Sequence, residues 1–403
     1  MELFWLEHKK LWRKKIVKIC VLLCFVYCVI FGSILSFQWF CFGSSGDYTS
    51  AFGNNFDGYT VIKDSQEYAL SFGGELTDET LQQIVSDYQQ MEADGMEEEL
   101  EKTDWQIVNS WLGTLYPELR DTSNYKTMIS YVDPDKLTGF YERRQQVLDE
   151  FLEVSGQVGA EKEFLHQIER KVEKPFHYEW VEGWSTLLGS MVADLGVVMA
   201  LFLGIVLSSL FAGEWHDNTS TLVLTTRNGW GKIALAKILT GLAFTVELFA
   251  LLAVSSVISQ LFFMGTAGWD MPIQNIKLIA VAPMNMLQAE IYEYAFVLLG
   301  AIGFAGIVMF ISAAVKNNVL TLLLSLAVVY GPMMIAEYLP YGMQKALDII
   351  PLVGSSTDIF RTNTFRIFGK LIWSPYLLIT IPVLIGILCM PFAIKSWSRR
   401  MKA

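Results

Sequence analysis

The sequence predicts an all-α integral membrane protein with six transmembrane helices and a large, mainly helical extracellular domain between helices 1 and 2. Three observations carry this. Of the 403 residues 53% are hydrophobic and the mean hydropathy is +0.37, which points to burial in lipid. Six segments are apolar over the roughly 20 residues that a helix needs to cross a hydrocarbon core of about 30 Å. Charge is also segregated: residues 43–183 hold 29 of the 41 acids but only 11 of the 30 bases, so an acidic block interrupts a basic, apolar remainder. This composition excludes a disordered chain, a disulfide-rich secreted module and a nucleic-acid binder that works by bulk positive charge.

Residues 1–18 read as a cytoplasmic amphipathic segment carrying Lys9, Lys10, Arg13, Lys14, Lys15 and Lys18. They resemble the basic start of a signal peptide, but the apolar run 19–42 is too long for one and no A-x-A site follows, so helix 1 is expected to be a retained anchor. Within it Cys20, Cys24 and Cys28 recur every four residues and share one face. Small apolar packing is the favoured reading there, a soft-metal stripe the other. Helices 2 to 6 follow at 187–211, 233–264, 294–315, 317–339 and 371–394. Six crossings put both termini on one side, and the Lys/Arg bias of both ends makes that side the cytoplasm. The lysines and arginines at 345, 361, 366 and 370 dissent mildly, since the loop 340–370 then lies outside.

In the extracellular domain, 43–183, short strands are expected at 59–62 and 68–72 with a turn at Gly73-Gly74. Thr77 or Asp78 caps a helix running to about Met91, with Leu81, Ile84, Val85 and Tyr88 at helical spacing. The acidic stretch 92–104 lacks the alternating pattern of a calcium loop and reads as a solvated face. Helices are expected at 141–154 and 161–172, the second stopped by Pro175.

Chemistry-bearing motifs do not assemble. Gly229-Trp230-Gly231-Lys232 lacks the spacing and hydroxyl of a nucleotide-binding loop, the four histidines offer no metal pair, and there is no G-x-S-x-G. No catalytic residue, metal site or bound cofactor is expected on this chain.

The stretch Phe211-Ala-Gly-Glu-Trp-His-Asp-Asn-Thr-Ser-Thr-Leu, continuing through Arg227 and Trp230 to Ala236-Lys237, resembles the first cytoplasmic loop of ABC-2 type permeases, the membrane subunits of ATP-binding-cassette exporters. Asn218-Thr219-Ser220 stands where that family usually has Gly-Thr. The Glu7-His-Lys-Lys-Leu-Trp-Arg-Lys-Lys start and the 161–184 return to the membrane are similar to permeases of Gram-positive bacteria. The resemblance implies a passage subunit in the cell membrane, paired with a second permease chain, the same or homologous. Two copies of a cytosolic ABC ATPase would bind the ATP and Mg. It implies that loop 212–232 couples to that ATPase through Glu214, Trp215, Asp217, Thr219, Thr221, Arg227 and Trp230, and that 340–370 holds short re-entrant helices. Substrate is unspecified, with a peptide or antimicrobial peptide faintly favoured by the acidic outer domain.

Two carboxylates lie inside spans, where charge is expensive: Asp194 and Glu247 are the candidate intramembrane functional residues. Glu290 and Glu293 are expected at the interface. Gly300, Gly303 and Gly306 form a small-residue set for close helix approach, between subunits or within the chain. The rival classes are a gradient-driven transporter using Asp194 or Glu247, and a sensor that binds a ligand through its outer domain.

Overall fold

The computed structural model describes residues 2–30, 34, 62, 66, 73–95, 105–121, 126–217, 219, 231–336, 338–353, 359–360 and 362–399. The chain is mostly helical, and five of its helices have the length and apolarity to cross a membrane, as a multi-pass membrane protein requires. An amphipathic helix α1 (Glu2–Arg13) leads through Lys14 into α2 (Lys15–Val29). Cys20, Cys24 and Cys28 are all buried among apolar side chains of the bundle, so their shared face is a packing face. Residues 31–33 and 35–42 of the expected first span lie outside the described residues.

The insert builds its own core. In α3 (Asp78–Ala93) the Thr77 hydroxyl accepts the Thr80 amide at 3.2 Å, the expected cap, and Leu81, Ile84 and Val85 are buried on one face. Next come α4 (Trp105–Leu115), α5 (Phe140–Val154) and α6 (Ala160–Glu169). Trp111, Phe140, Phe176 and Tyr178 meet edge to face at the centre. Gly74, expected in a turn, opens strand β1 (Gly74–Leu76), which pairs antiparallel with β2 (Phe176–Tyr178), Leu76 opposite Phe176. Of the strands expected at 59–62 and 68–72, Ile62 is helical and the other positions are not described.

A short helix α7 (Glu182–Thr186) and a π-helical stretch (Leu187–Met191) turn the chain into the bundle. There follow α8 (Val192–His216), α9 (Lys232–Met264), α10 (Met286–Ala314) and α11 (Asn318–Ala336). The short α12 (Tyr341–Leu347) and a hairpin of β3 (Thr364–Ile367) with β4 (Lys370–Trp373) occupy the segment where re-entrant helices are expected, and α13 (Ser374–Arg399) closes the chain. The bounds differ from the hydropathy reading in two instructive places. Helix α8 runs on through Glu214, and α10 starts about two turns earlier than expected, at Met286, after the N-cap Asn285, which forms a reciprocal capping box with Gln288. Hydropathy stops at polar residues, but backbone hydrogen bonding does not. Helix α10 is central, packed by α8, α9 and α13, whereas α11 is mostly uncovered.

The insert is latched to the two loops that share its end of the bundle. Arg144 is fully buried; it pairs with Glu169 at 2.6 Å and donates to the carbonyls of Leu278 (2.7 Å) and Ala280 (3.2 Å), on the connection between α9 and α10. Lys174 adds a second cation to Glu169 at 2.8 Å. Asn275 donates to the His177 carbonyl, and Arg366 of β3 reaches Glu161 at 2.6 Å. Burial raises the proton affinity of Glu169, but Lys174 and Arg144 outweigh it and hold the carboxyl below its ordinary 4.5. Its contribution is therefore complete above pH 4.5 and is lost as pH falls through the depressed folded value. Arg144→Ala leaves Glu169 with Lys174 as its remaining cation and frees two buried carbonyls, so it is expected to cost toward the lower end of the roughly 3–5 kcal/mol of a broken buried pair. Limited proteolysis within 265–285 and thermal unfolding check this, and cleavage there unchanged from wild type would refute the latch.

Candidate functional site

At the other end of the bundle one of the residues singled out by sequence, Glu214, joins three helices. Glu214 stands on the last turn of α8, where the dipole opposes a carboxylate, so it needs cations. It has them. Its Oε1 accepts Lys10 Nζ from α1 at 2.6 Å and Lys237 Nζ from α9 at 2.8 Å. Its Oε2 accepts the hydroxyl of Thr219. Lys237, itself buried, also reaches Glu7 of α1 at 2.8 Å. Three helices, one of them 204 positions away in sequence, are thus pinned through one carboxylate. Lys10 is held above its ordinary value: burial opposes this, but the hydrogen bond and charge of Glu214 outweigh it. Lys14 donates to Ser209 at 2.9 Å and is held below its ordinary value, by burial first and then by the charges of Lys237 and Lys10. A cleft of about 30 Å³, the room of a single water, lies among these groups and Asp217.

Trp215 turns inward: its ring meets Trp397 of α13 edge on at 6.2 Å and carries the Lys316 ammonium over its face at 4.5 Å. Asp217 and Thr219 lie at the start of the connection to α9, and Thr221, Arg227 and Trp230 fall outside the described residues. The structure therefore joins Glu214 to Thr219 and to partners that sequence spacing does not reveal, Glu7, Lys10 and Lys237. A basic stretch at 9–18 opposite an acid at 214 is a signal only once the helices are assembled.

Glu247 does not sit alone in lipid. Helix α9 has 33 residues, about 50 Å, well beyond the core thickness, and α1 lies along its first half. There Glu247 accepts Trp12 Nε1 at 3.0 Å and faces His8 Nε2 at 3.1 Å, while remaining partly exposed. This is a tie between α1 and α9 outside a sealed apolar interior. Glu247→Gln, which keeps an acceptor for Trp12, is expected to cost less than about 1 kcal/mol in thermal unfolding; a larger loss would show the charge itself to be required. Asp194 is on α8, but its side chain is outside the described residues. Glu290 and Glu293, expected at the interface, stand near the start of α10 and are enclosed by protein, 4% and 0% exposed.

Among the described residues no group of three or more His, Cys, Asp or Glu is placed to hold a metal ion. No family model matches this chain, and neither a curated protein nor a solved structure shows significant similarity to it.

Proposed function

We propose that this chain is the permease subunit of an ATP-binding-cassette exporter. In this reading it spans the membrane six times with both termini in the cytoplasm and the insert outside. It works with a second permease chain and two copies of a cytosolic ATPase. The observation that supports the reading best is the Glu214 junction. A force applied to the short connection between α8 and α9 reaches α8, α9 and the surface helix α1 together, because one carboxylate ties them. Such a junction transmits displacement into the bundle without needing chemistry of its own. The exposed Trp5 and Leu6 on α1 suit a helix lying at a lipid or protein surface.

The test is co-purification of an ATPase subunit with the chain, followed by cargo movement in proteoliposomes with and without ATP. Movement that is driven by an ion gradient and indifferent to ATP would replace this reading with the second one, a gradient-driven transporter. The enclosed carboxyls of Glu290 and Glu293 are what favour that alternative. Topology is tested by labelling single cysteines introduced near residues 100 and 225, with the first expected to react from outside and the second only after permeabilisation.

A further inference from the structure

The antiparallel contact of α9 and α10 places an oxygen-rich group inside the bundle, toward the end that carries the insert. Ser256 Oγ and Tyr294 Oη are 2.8 Å apart across that contact. One turn nearer the insert, the same register brings Gln260 of α9 level with Glu290 of α10. Glu293 follows Glu290 on the adjoining turn and feels its charge, and Tyr294 lies beside Glu290. Glu293, Gln260 and Ser256 are fully buried. The Tyr294 hydroxyl is within reach of the Glu290 carboxylate, while neither carboxyl oxygen of Glu293 and neither polar atom of the Gln260 amide has a hydrogen-bond partner among the described residues.

Two carboxyls and an amide enclosed with Tyr294 as their one neighbouring hydroxyl are a costly arrangement. Protonation removes the charge but leaves the Glu293 carbonyl and the Gln260 amide without partners of their own. A cation satisfies the oxygens together. The donor set contains no sulfur or imidazole, which selects a hard ion. At the head of α10 a cleft of about 360 Å³, with Asn285 and Gln288 on one wall and Glu173 and Asp270 on others, brings polar surface to the same helix.

We propose that Glu290, Glu293, Gln260, Ser256 and Tyr294 form a binding site for a hard metal cation between α9 and α10. The site belongs to the isolated chain, so its test needs no ATPase and stands whether or not the exporter reading holds. The full chain in detergent is unfolded thermally in choline chloride, NaCl and CaCl2 at matched ionic strength, followed by tryptophan fluorescence. Ca²⁺ or Na⁺ is expected to raise the wild-type midpoint saturably by a few degrees. The rise should vanish in E290Q/E293Q, whose midpoint in choline stays equal to or above wild type because the unpartnered charge has gone. Gln260→Leu should weaken the apparent affinity at least tenfold, and Glu173→Gln, on the acidic insert, should leave it unchanged. Equal wild-type midpoints in the three salts, or a rise that E290Q/E293Q retains, would overturn the site.

Discussion

Glu214→Ala is expected to detach the N-terminal helix and to abolish coupling in the same step. The change leaves Lys237, 1% exposed, with Glu7 as its remaining carboxylate, and releases Lys10 from the end of α8. Removing one partner of a buried ion pair costs about 3–5 kcal/mol, and because Lys237 keeps Glu7 this change falls toward the lower end of that range. A fall in thermal stability of that order would nonetheless follow from any buried pair, so the variant alone does not separate architecture from coupling. The pair Glu214→Leu with Lys237→Met does. Replacing both charges by apolar groups of similar volume is often neutral or stabilising, so this double variant should recover most of the lost stability. It still lacks the carboxylate that gathers Lys10, Lys237 and Thr219, and it should fail both to retain an ATPase subunit in co-purification and to move cargo with ATP. Full transport by the double variant would reduce the junction to a structural staple.

The contrast between Glu214 and Glu247 shows how much of the site could be read from residue order alone. Both are acids in or near apolar helices, and sequence marks both. It does not say that α1 folds back along α9, because that contact joins residues more than 200 positions apart, and His8 and Trp12 meet Glu247 only then. Local signals were legible where the cause is local: the Thr77 cap, the apolar face of α3 and the start of α9 one residue from its expected position. The β1–β2 pair was not, since three-residue strands separated by a hundred positions have no turn to announce them. Helix α4 carries no clear local signal, because Asn109, Ser110 and Gly113 interrupt a sequence whose helicity comes from Trp111 and Leu112 packing inward. The enclosure of Glu290 and Glu293 by protein is likewise not legible in residue order, because burial in a bundle is a tertiary property.

The glycines on α10 define the second large effect, with a gradient that tests its cause. Helices α10 and α13 approach backbone to backbone, where Gly303 and Gly306 meet Pro382 and Gly386. A Cβ on Gly303 would fall 2.7 Å from the Pro382 carbonyl carbon, one on Gly306 2.7 Å from the Gly386 Cα, and one on Gly386 2.5 Å from the Gly303 Cα. The obstacle is main chain in every case, so no side-chain rotation relieves it, and only separation of the helices does. Separation breaks the contact on which the central helix relies, at a cost above the roughly 1–3 kcal/mol of ordinary overpacking. Gly306→Leu and Gly386→Val should therefore leave little folded protein in membranes, measured as the monodisperse fraction after solubilisation. Gly300 is a milder case, since a Cβ there meets the Leu352 Cδ2 at 3.0 Å and that side chain can shift, so Gly300→Ala should retain most of the folded protein. Gly331, within α11, has nothing within 4 Å of an added Cβ, and Gly331→Ala should be neutral or gain up to about 1 kcal/mol from helix propensity. If instead Gly306→Leu folded normally but failed to associate with a second copy, the glycine face would belong to a contact between chains, and the close packing of α10 on α13 would not be what holds the bundle together.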